Sequence, residues 1–506
     1  MEAIIRSDPF PPAPARYNMA RDVLAAGART PDKIALQVLR AGGAERWSYA
    51  RLTAAVRGTG AGLLALGLEP GDRVLLRLGN SVDFPIAFLG AVAAGLIPVP
   101  TSSQLTAPEI TAMAAHLDPG LVVAGDGVAL PDHPARVLPL PVLRAMREGP
   151  PCDWHLGPPD RPGYMVFTSG SSGTPMAVVH AHRALHARRM MWDGWYGLTP
   201  ADRMLHAGAF NWTYTLGTGL MDPWTIGATA LIPEPGAPLP LLLRRFDATI
   251  FAAAPGVYRQ LLKPGKPLAL PRLRHGLSAG EKLPEATRAA WEAATGRPVF
   301  EALGMSECST YISAAPGHPA PEGAIGYPQP GRTVAVLDGA GQPVPRGTPG
   351  TLAVHRSDPG LMLGYWRAPE ATRARFTGDW FVTGDTVVMA EDGAITYLGR
   401  DDDMLNAGGY RVSPLEIEAA MERHPDIQEA AATEITVKAD ATVIAAFYTA
   451  ATPLPEAALQ THAAAHLARY KQPRLYIHRD TLPRGANNKL LRRVLREGWE
   501  HAHDPA

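Results

Sequence analysis

Short apolar runs bounded by glycine and proline recur from the N-terminus to about residue 330, and stretches of helical pattern separate them. The runs have the length of buried strands and read "DRVLLRLG", "LIPVP", "GLVVAG", "YMVFTSG", "ATALIP" and "ATIFAAAP". Strands and helices that alternate in this way pack as stacked layers. We therefore predict a large, multi-layer α/β domain over this part of the chain.

The pattern changes at about residue 331 to short strands separated by turn signals. These strands lie in "RTVAVLDGAGQPV", "GTLAVH" and "TVVMAEDGAITYLG", and the last segment predicts a hairpin around Asp392 and Gly393. We expect a small β-rich subdomain over about 331–400.

A domain boundary is expected near residue 400, because charge and glycine interrupt the apolar pattern in "RDDDMLNAGGYRVSPLEIEAAMERH". In this segment Ser413 predicts an N-cap, Pro414 the first residue of a helix and Glu416 the acidic partner of a capping box. We predict an N-terminal domain over 1–400 and an α+β C-terminal domain over 401–506, which is a typical domain size.

The net charge of the chain limits its partners. Among 506 residues, 48 basic and 48 acidic side chains cancel, which argues against nucleic acid or an anionic membrane surface and favours a small ligand. Its two cysteines, Cys152 and Cys308, provide neither a disulfide framework nor a metal-ligand cluster. The first residues, "MEAIIRSDPFPPAPARYN", lack the apolar region of a secretion signal, so a reducing cytoplasm is the expected location.

The longest apolar stretch, "FPIAFLGAVAAGLIPVPT", approaches the length of a membrane span. Because Pro85, Gly95, Pro98 and Pro100 interrupt it, we expect a buried helix that ends near Gly95 and a short strand after it, not a membrane span.

A loop of glycine, serine and threonine lies between two apolar strands in "VFTSGSSGTPMAVVH". It is not a Walker loop, because Pro175 and Met176 stand where that motif has glycine and lysine. Backbone N–H groups and hydroxyls in such a loop can hold phosphate oxygens. From these residues alone, the loop is either a phosphate site or a simple turn.

Two further strands end close together in the sequence, in "LSAGEKLP" and "EALGMSEC", and could open onto one crevice. Glu307 then offers a carboxylate to a divalent cation that bridges phosphates, or is a solvated loop acid. The segment "GMSEC" is also close to the nucleophile elbow of serine hydrolases, but Cys308 replaces its final glycine, which disfavours a hydrolase.

Polar residues with possible binding roles occur again towards the C-terminus. Asp385, which ends "GDWFVTGD", and Arg400 in "GRDDD" could form a structural ion pair or hold ribose and phosphate. Lys489 lies in the polar segment "LPRGANNKLLRR" and could equally be a surface lysine.

Taken in order, these motifs resemble those of the adenylate-forming superfamily, which contains acyl- and aryl-CoA synthetases, peptide-synthetase adenylation domains and luciferases. The matching segments run from about Thr30 to Arg493. In "SAGEKLP", "GRDDDML" and "YRVSPLEIE" the chain is most similar to benzoate–CoA ligases and related small-acid ligases.

The resemblance implies an AMP-forming acid–CoA ligase. Such an enzyme uses ATP with Mg²⁺ to convert a carboxylic acid to an acyl-adenylate and then transfers the acyl group to the thiol of CoA. It also implies that the C-terminal domain is mobile and rotates between the two half-reactions. The acid is expected to be small and apolar, either aromatic or of short to medium chain. A ligase that loads a carrier protein and a weakly active or non-catalytic nucleotide-binding relative remain alternatives, and a homodimer remains open.

The resemblance also implies roles for individual residues. Glu307 would hold Mg²⁺, Ser306 would contact the α-phosphate, and Lys489 would bridge the substrate carboxylate and the α-phosphate. Asp385 and Arg400 would bind ribose. The phosphate loop would comprise Thr168, Ser169, Gly170, Ser171, Ser172, Gly173 and Thr174. Further nucleotide contacts would come from Gly280, Glu281, Lys282, Glu301, Ala302, Leu303 and Gly304. The acyl pocket would be lined by Asn211, Trp212, Ala279, Met305 and Thr310. The hinge would be Asp402, and the CoA tunnel would pass Gly408 and Gly409.

Five positions depart from the family pattern. Met176 replaces the loop lysine and Ala177 the glycine after it, Leu303 replaces an aromatic residue, Ser306 replaces a threonine and keeps the hydroxyl, and Asn488 replaces a glycine. We expect Met176 to weaken the hold on pyrophosphate. Arginines 183, 188 and 189 follow the loop and are candidates for the missing charge.

Overall fold

A computed structural model describes residues 1–168, 176–401, 403–407, 410–438, 441–467, 469–485 and 490–503. The chain divides into two compact units. The larger unit contains Ile5–Thr333 and Val354–Phe381, and the smaller unit contains Met1–Ile4, Val334–Ala353 and Val382–Ala506. The smaller unit therefore includes parts of the predicted β-rich subdomain together with the predicted C-terminal domain.

A nine-stranded sheet forms the centre of the larger unit. Its strands follow the spatial order Tyr327–Pro328, Ser309–Ser313, Val299–Met305, His275–Ala279, Ile250–Ala253, Arg203–His206, Thr229–Pro233, Ile34–Leu39 and Ala44–Ser48. The inner strands are parallel, and the pairs at both ends of the sheet are antiparallel. Parallel strands with apolar side chains on both faces must be covered on both sides, which agrees with the continuous apolar runs of the sequence.

Two smaller sheets complete the strands of this unit. A parallel sheet has the order Ile97–Pro100, Arg73–Arg77, Leu121–Ala124 and Arg136–Pro139. An antiparallel sheet has the order Gly364–Tyr365, Met176–Ala181 and Pro162–Thr168. All six apolar runs that predicted strands are strands, so the α/β prediction is confirmed.

Helices of the larger unit follow the strands along the chain. They span Met19–Ala25, Tyr49–Ala65, Asp83–Ala93, Ala107–Leu117, Leu140–Met146, Arg183–Ala187, Asp222–Ile226, Leu239–Arg245, Pro255–Leu262, Glu285–Thr295 and Pro369–Arg373. Shorter 3₁₀ or π turns occupy Ala26–Arg29, Trp192–Tyr196 and Thr215–Met221. The long apolar stretch forms the buried helix Asp83–Ala93, and Gly95, with φ +83°, turns the chain into the strand Ile97–Pro100 as predicted.

The smaller unit contains most of the short strands. Four of them lie side by side in the order Val334–Leu337, Pro349–His355, Trp380–Met389 and Ile395–Arg400. The last two form the predicted antiparallel hairpin. Of the two-residue strands, Ile4–Ile5 begins at the last residue of the first segment of this unit, and Phe376–Thr377 belongs to the larger unit.

The C-terminal part of this unit is α+β. Leu405–Ala407 pairs with Tyr410–Val412, and a second sheet has the order Glu429–Lys438, Ala441–Thr449 and Leu475–His478. The helices are Pro414–Met421, Glu456–His466 and Arg492–His503, with a 3₁₀ turn at Arg469–Lys471.

The helix that begins at Pro414 has Ser413 at its N-cap position, as predicted, but the predicted capping box is wrong. The Ser413 hydroxyl donates to the Leu398 carbonyl, and Glu416 forms an ion pair with Lys471 at 2.6 Å. Both side chains therefore have tertiary partners that compete with the local cap. Among the described residues, no helix combines the length and the hydropathy that a membrane span requires.

Candidate active site

Two parallel strands of the nine-stranded sheet lie side by side at the crevice that the sequence predicts. The strands His275–Ala279 and Val299–Met305 pair with Ala279 opposite Ala302. Ala279 and Ala302 are buried, and the chain leaves the first strand through Gly280, whose φ is +97°. Crevices at the carboxyl ends of parallel strands are the usual ligand sites of such sheets.

Trp212 lies directly against Gly280 in this crevice. A Cβ atom at residue 280 would be 2.4 Å from Cζ2 of the indole, so only glycine fits there without moving the ring. The ring of Tyr214 meets the indole edge-on with centroids 5.1 Å apart, and Ala279 packs in the same apolar cluster. Two predicted acyl-pocket residues, Trp212 and Ala279, thus lie in one wall, while Asn211 beside Trp212 is half-buried.

The other two predicted pocket residues lie on the adjacent antiparallel pair. Met305 is opposite Ser309, and Thr310 is opposite Gly304. The Thr310 hydroxyl is buried and donates to the sulfur of Met191 at 3.0 Å. Gly304 has no space for a side chain, because a Cβ would be 2.5 Å from the Ser309 carbonyl oxygen.

The predicted nucleotide residues Lys282 and Glu301 bind each other. Glu301 is 1% exposed, and its carboxylate accepts from Lys282 Nζ at 3.0 Å, from the Leu283 N–H at 2.7 Å and from Arg288 at 3.1 Å. This network attaches the segment after Gly280 to the neighbouring strand. Glu281 and Leu303 are half-buried.

Glu307 lies on the turn between the strands Val299–Met305 and Ser309–Ser313. It is half-buried, and its Oε1 accepts a hydrogen bond from the Tyr365 hydroxyl at 2.7 Å. Ser306 precedes it in the same turn. A second strand, not a helix, follows this turn, so the nucleophile-elbow alternative is excluded. Cys308 is fully buried, and burial raises the pKa of its thiol.

The described residues contain no cluster of three His, Cys, Asp or Glu side chains that could hold a metal ion. A single carboxylate together with substrate phosphates is, however, a usual arrangement for Mg²⁺. Glu307 therefore fits a magnesium ion that arrives with a nucleotide.

The predicted phosphate loop connects the strands Pro162–Thr168 and Met176–Ala181, in which Thr168 is opposite Met176. The loop residues Ser169, Gly170, Ser171, Ser172, Gly173 and Thr174 lie outside the described residues.

The arginines that follow this loop have carboxylate partners in the protein. Arg183 pairs with Asp160, Arg189 with Asp22 at 2.8 Å, and the buried Arg188 with Asp222 at 2.6 Å. Because all three arginines are ion-paired, none of them is an unpaired cation that could replace the family's loop lysine at Met176.

In the smaller unit, Asp385 and Arg400 are directly opposite each other in the hairpin. Arg400 Nη1 lies 3.2 Å from Asp385 Oδ1 and also donates to the Thr383 carbonyl at 3.0 Å. Asp385 is 4% exposed. The predicted pair is thus formed. Four residues with predicted roles lie outside the described residues: Lys489, Asp402 of the predicted hinge, and Gly408 and Gly409 of the predicted CoA tunnel.

Sequence reasoning missed the contacts that support this site, and it named Arg188 only as a candidate for the missing loop charge. Arg188 donates to Ser309, a non-glycine residue with φ +67°, while Asp222 and Tyr196 complete a buried network around it. His180 and Tyr365 contact the turn that carries Glu307. A signal existed only for His180, a polar residue inside the apolar strand "MAVVHA".

Comparison with known proteins gives matches over most of the chain. The model of the AMP-binding enzyme family matches residues 23–366, and that of the AMP-binding enzyme C-terminal domain matches residues 416–489.

Individual relatives match nearly the full length. The benzoate–CoA ligase of Thauera aromatica is 30% identical over 96% of this chain and 97% of that protein. The mitochondrial acyl-coenzyme A synthetase ACSM2B of Homo sapiens is 29% identical over 96% of this chain and 91% of that protein. The structure of the anthranilate CoA ligase AuaEII in complex with anthranoyl-AMP has a TM-score of 0.87 and 26% identity, and the match covers 97% of this chain and 98% of that one.

Proposed function

Since the chain belongs to the family of AMP-binding enzymes, we propose that it is an AMP-forming ligase that joins a small aromatic carboxylic acid to CoA. ATP and the acid give an acyl-adenylate and pyrophosphate, and the CoA thiol then displaces AMP. The observation that carries the proposal is the contact of Trp212 with Gly280 at the end of one strand, beside the neighbouring strand that leads into the turn with Glu307. The flat indole is suited to contact an aromatic ring. The names of the relatives that act on benzoate and anthranilate support the same acid class.

The first half-reaction must bring two negatively charged groups together, the acid carboxylate and the α-phosphate. Mg²⁺ bound with ATP supplies positive charge to the phosphates, and Glu307 is the carboxylate that would hold it. Ser306 contacts the α-phosphate, and the hydroxyl of Thr168 lies at the start of the phosphate loop. Lys489 contributes the positive charge between the acid and the α-phosphate, so Met176 need not carry one.

The remaining roles follow the same proposal. The carboxylate of Asp385 accepts hydrogen bonds from the ribose hydroxyls, and Arg400 orients that carboxylate and reaches the ribose. For thioester formation, rotation about Asp402 removes Lys489, and Gly408 and Gly409 allow the pantetheine chain to pass close to the backbone.

Release of pyrophosphate with a panel of acids tests this function. With ATP, Mg²⁺ and CoA, we expect benzoate and its amino or hydroxy derivatives to give higher kcat/KM than acetate, butyrate or hexanoate. Higher values for the aliphatic acids would refute the aromatic proposal. Nucleotide binding without turnover of any acid would favour a non-catalytic relative. Transfer only to a pantetheinylated carrier protein would favour the carrier-loading alternative.

Two further proposals concern the state of the protein. We expect the enzyme in the cytoplasm, where ATP and CoA are available, and fractionation of the source cells tests this. A homodimer and a monomer are both open as the assembly, and sedimentation velocity distinguishes them.

A further inference from the structure

The turn with Ser306 and Glu307 is attached to the sheet that carries the phosphate loop. That sheet consists of Gly364–Tyr365, Met176–Ala181 and Pro162–Thr168, and the phosphate loop joins its last two strands. All of these residues, and the turn itself, belong to the larger unit.

Three hydrogen bonds make the attachment. The Tyr365 hydroxyl donates to Glu307 Oε1 at 2.7 Å, and the Met362 N–H donates to the Glu307 carbonyl at 2.7 Å. His180 Nε2 lies 2.7 Å from the Ser306 carbonyl oxygen. The side chain and the backbone of the turn are therefore fixed by this sheet and by Met362, two residues before its edge strand.

His180 can only be the donor in its contact, because a carbonyl oxygen only accepts. Its Nε2 therefore carries the proton. The ring is 1% exposed and stacks on Tyr164 with centroids 4.8 Å apart. Burial lowers the pKa of His180 to about 4, so the ring is neutral near pH 7 and adds no charge beside the phosphates.

Tyr365 is held tightly to the strand that follows the phosphate loop. It is opposite Val178, and the flanking residues Leu363 and Trp366 donate backbone hydrogen bonds of 2.8 Å to Val179 and Ala177. The strand Met176–Ala181, which follows the loop, thus determines the position of the Tyr365 hydroxyl.

We propose that Tyr365 and His180 are positioning residues that orient Glu307 and Ser306 for the magnesium–ATP complex. The proposal rests on the role proposed for Glu307. A hydroxyl that donates to one carboxylate oxygen fixes the rotation of the carboxylate and leaves the other oxygen for the cation. Groups that hydrogen-bond to metal ligands in this way affect metal affinity strongly. His180 fixes the backbone of the turn one residue earlier.

The test measures magnesium binding without turnover. Calorimetry follows the binding of α,β-methylene-ATP to the full chain at a series of Mg²⁺ concentrations. This analogue cannot transfer its adenylyl group to an acid, because a methylene group replaces the oxygen between the α- and β-phosphorus atoms. We expect Tyr365→Phe to weaken Mg²⁺ binding and to raise the apparent dissociation constant for Mg²⁺ about tenfold. Its affinity for AMP without Mg²⁺ should equal that of the wild type.

Tyr49→Phe is the matched control, since it also removes one tyrosine hydroxyl bond of the larger unit, the 2.6 Å bond to the Ala228 carbonyl. It should lower the Tm and leave the Mg²⁺ constant unchanged. His180→Gln retains a side-chain donor, whereas His180→Leu removes it. We therefore expect His180→Leu to bind Mg²⁺ more weakly than the wild type. His180→Gln should have an apparent dissociation constant for Mg²⁺ between those of His180→Leu and the wild type.

Glu307→Gln distinguishes a failure of the positioning proposal from a failure of the metal role proposed for Glu307. If Glu307→Gln weakens Mg²⁺ binding but Tyr365→Phe and both His180 variants behave as the wild type, the positioning proposal is overturned. If Glu307→Gln itself leaves the Mg²⁺ constant unchanged, the metal role proposed for Glu307 fails. An equal loss in Tyr49→Phe and Tyr365→Phe would show a general effect on folding and would also overturn the proposal.

Discussion

Replacement of Gly280 by alanine should alter the use of the acid more than the use of ATP. The new Cβ would lie 2.4 Å from Cζ2 and 2.5 Å from Cη2 of Trp212. Because carbon atoms rest at about 3.5–4.0 Å, the indole must move by about 1 Å. On its other side the ring meets Tyr214, which is buried and bonds to the Leu277 carbonyl at 3.1 Å. The movement therefore changes the wall of the proposed acyl pocket.

Backbone strain and the collision with the indole both contribute to the free-energy cost of Gly280→Ala, and Gly71→Ala serves as a control for the strain alone. A non-glycine residue at φ +97° costs about 1–3 kcal/mol in backbone strain. Gly71→Ala has the same strain, since its φ is +100°, but its Cβ would meet nothing within 4 Å. The collision with the indole adds about 1–3 kcal/mol. If that energy appears in binding of the acid, kcat/KM for the acid falls roughly 5- to 150-fold.

The assay is continuous pyrophosphate release with benzoate and with a smaller acid at saturating ATP. Trp212→Leu in the Gly280→Ala background should restore much of the loss, since the colliding ring is gone, and the double-mutant cycle gives the coupling energy. Trp212→Leu alone reports the contribution of the ring. Equal acid kcat/KM in Gly280→Ala and Gly71→Ala, or no recovery in the double variant, would refute the role of this contact.

Three other outcomes are expected. Met176→Lys should lower the KM for ATP by adding the charge that the loop lacks, and an unchanged KM would show that other groups already suffice. Lys489→Ala should abolish adenylate formation and retain thioester formation from supplied acyl-adenylate; loss of both would contradict its role. Burial lowers the pKa values of His182 and His206 to about 3. Both histidines are neutral in the folded protein, whereas the unfolded chain protonates them below about pH 6.5. The free energy of unfolding therefore decreases as the pH falls, by about 2 kcal/mol per histidine at pH 5. The Tm of His206→Asn should therefore fall less between pH 7.5 and 5.0 than the wild-type Tm, and equal slopes would contradict this.

Local signals explain why most strands could be predicted. Each apolar run ended at glycine or proline, and Gly95 ended its helix where its positive φ permits the turn. The order of the nine-stranded sheet could not be predicted. Thr229–Pro233 lies between Arg203–His206 and Ile34–Leu39, and that pairing depends on packing between segments distant in the sequence. The capping box failed for the same reason, since Ser413 and Glu416 bind distant partners.

The candidate site was predicted in part through the resemblance to a family and only weakly from the residues themselves. Strand ends predicted the crevice at Gly280 and the turn at Glu307. The charges that stabilise it were not visible, because Arg188 and Asp222 meet only after the chain folds. Lys282 and Glu301, which were expected to contact the nucleotide, bind each other in the structure.

The buried thiol of Cys308 affects the fate of the reactive product. An acyl-adenylate is an electrophile, and a thiolate next to Glu307 would capture the acyl group before CoA arrived. Cys308 is 0% exposed, its sulfur lies 3.8 Å from Asp358 Oδ1, and burial keeps its pKa above the ordinary range. Neutral buried thiols react poorly. We therefore expect the Cys308 thiol not to compete with CoA for the proposed acyl-adenylate, and the folded protein should resist iodoacetamide at this position.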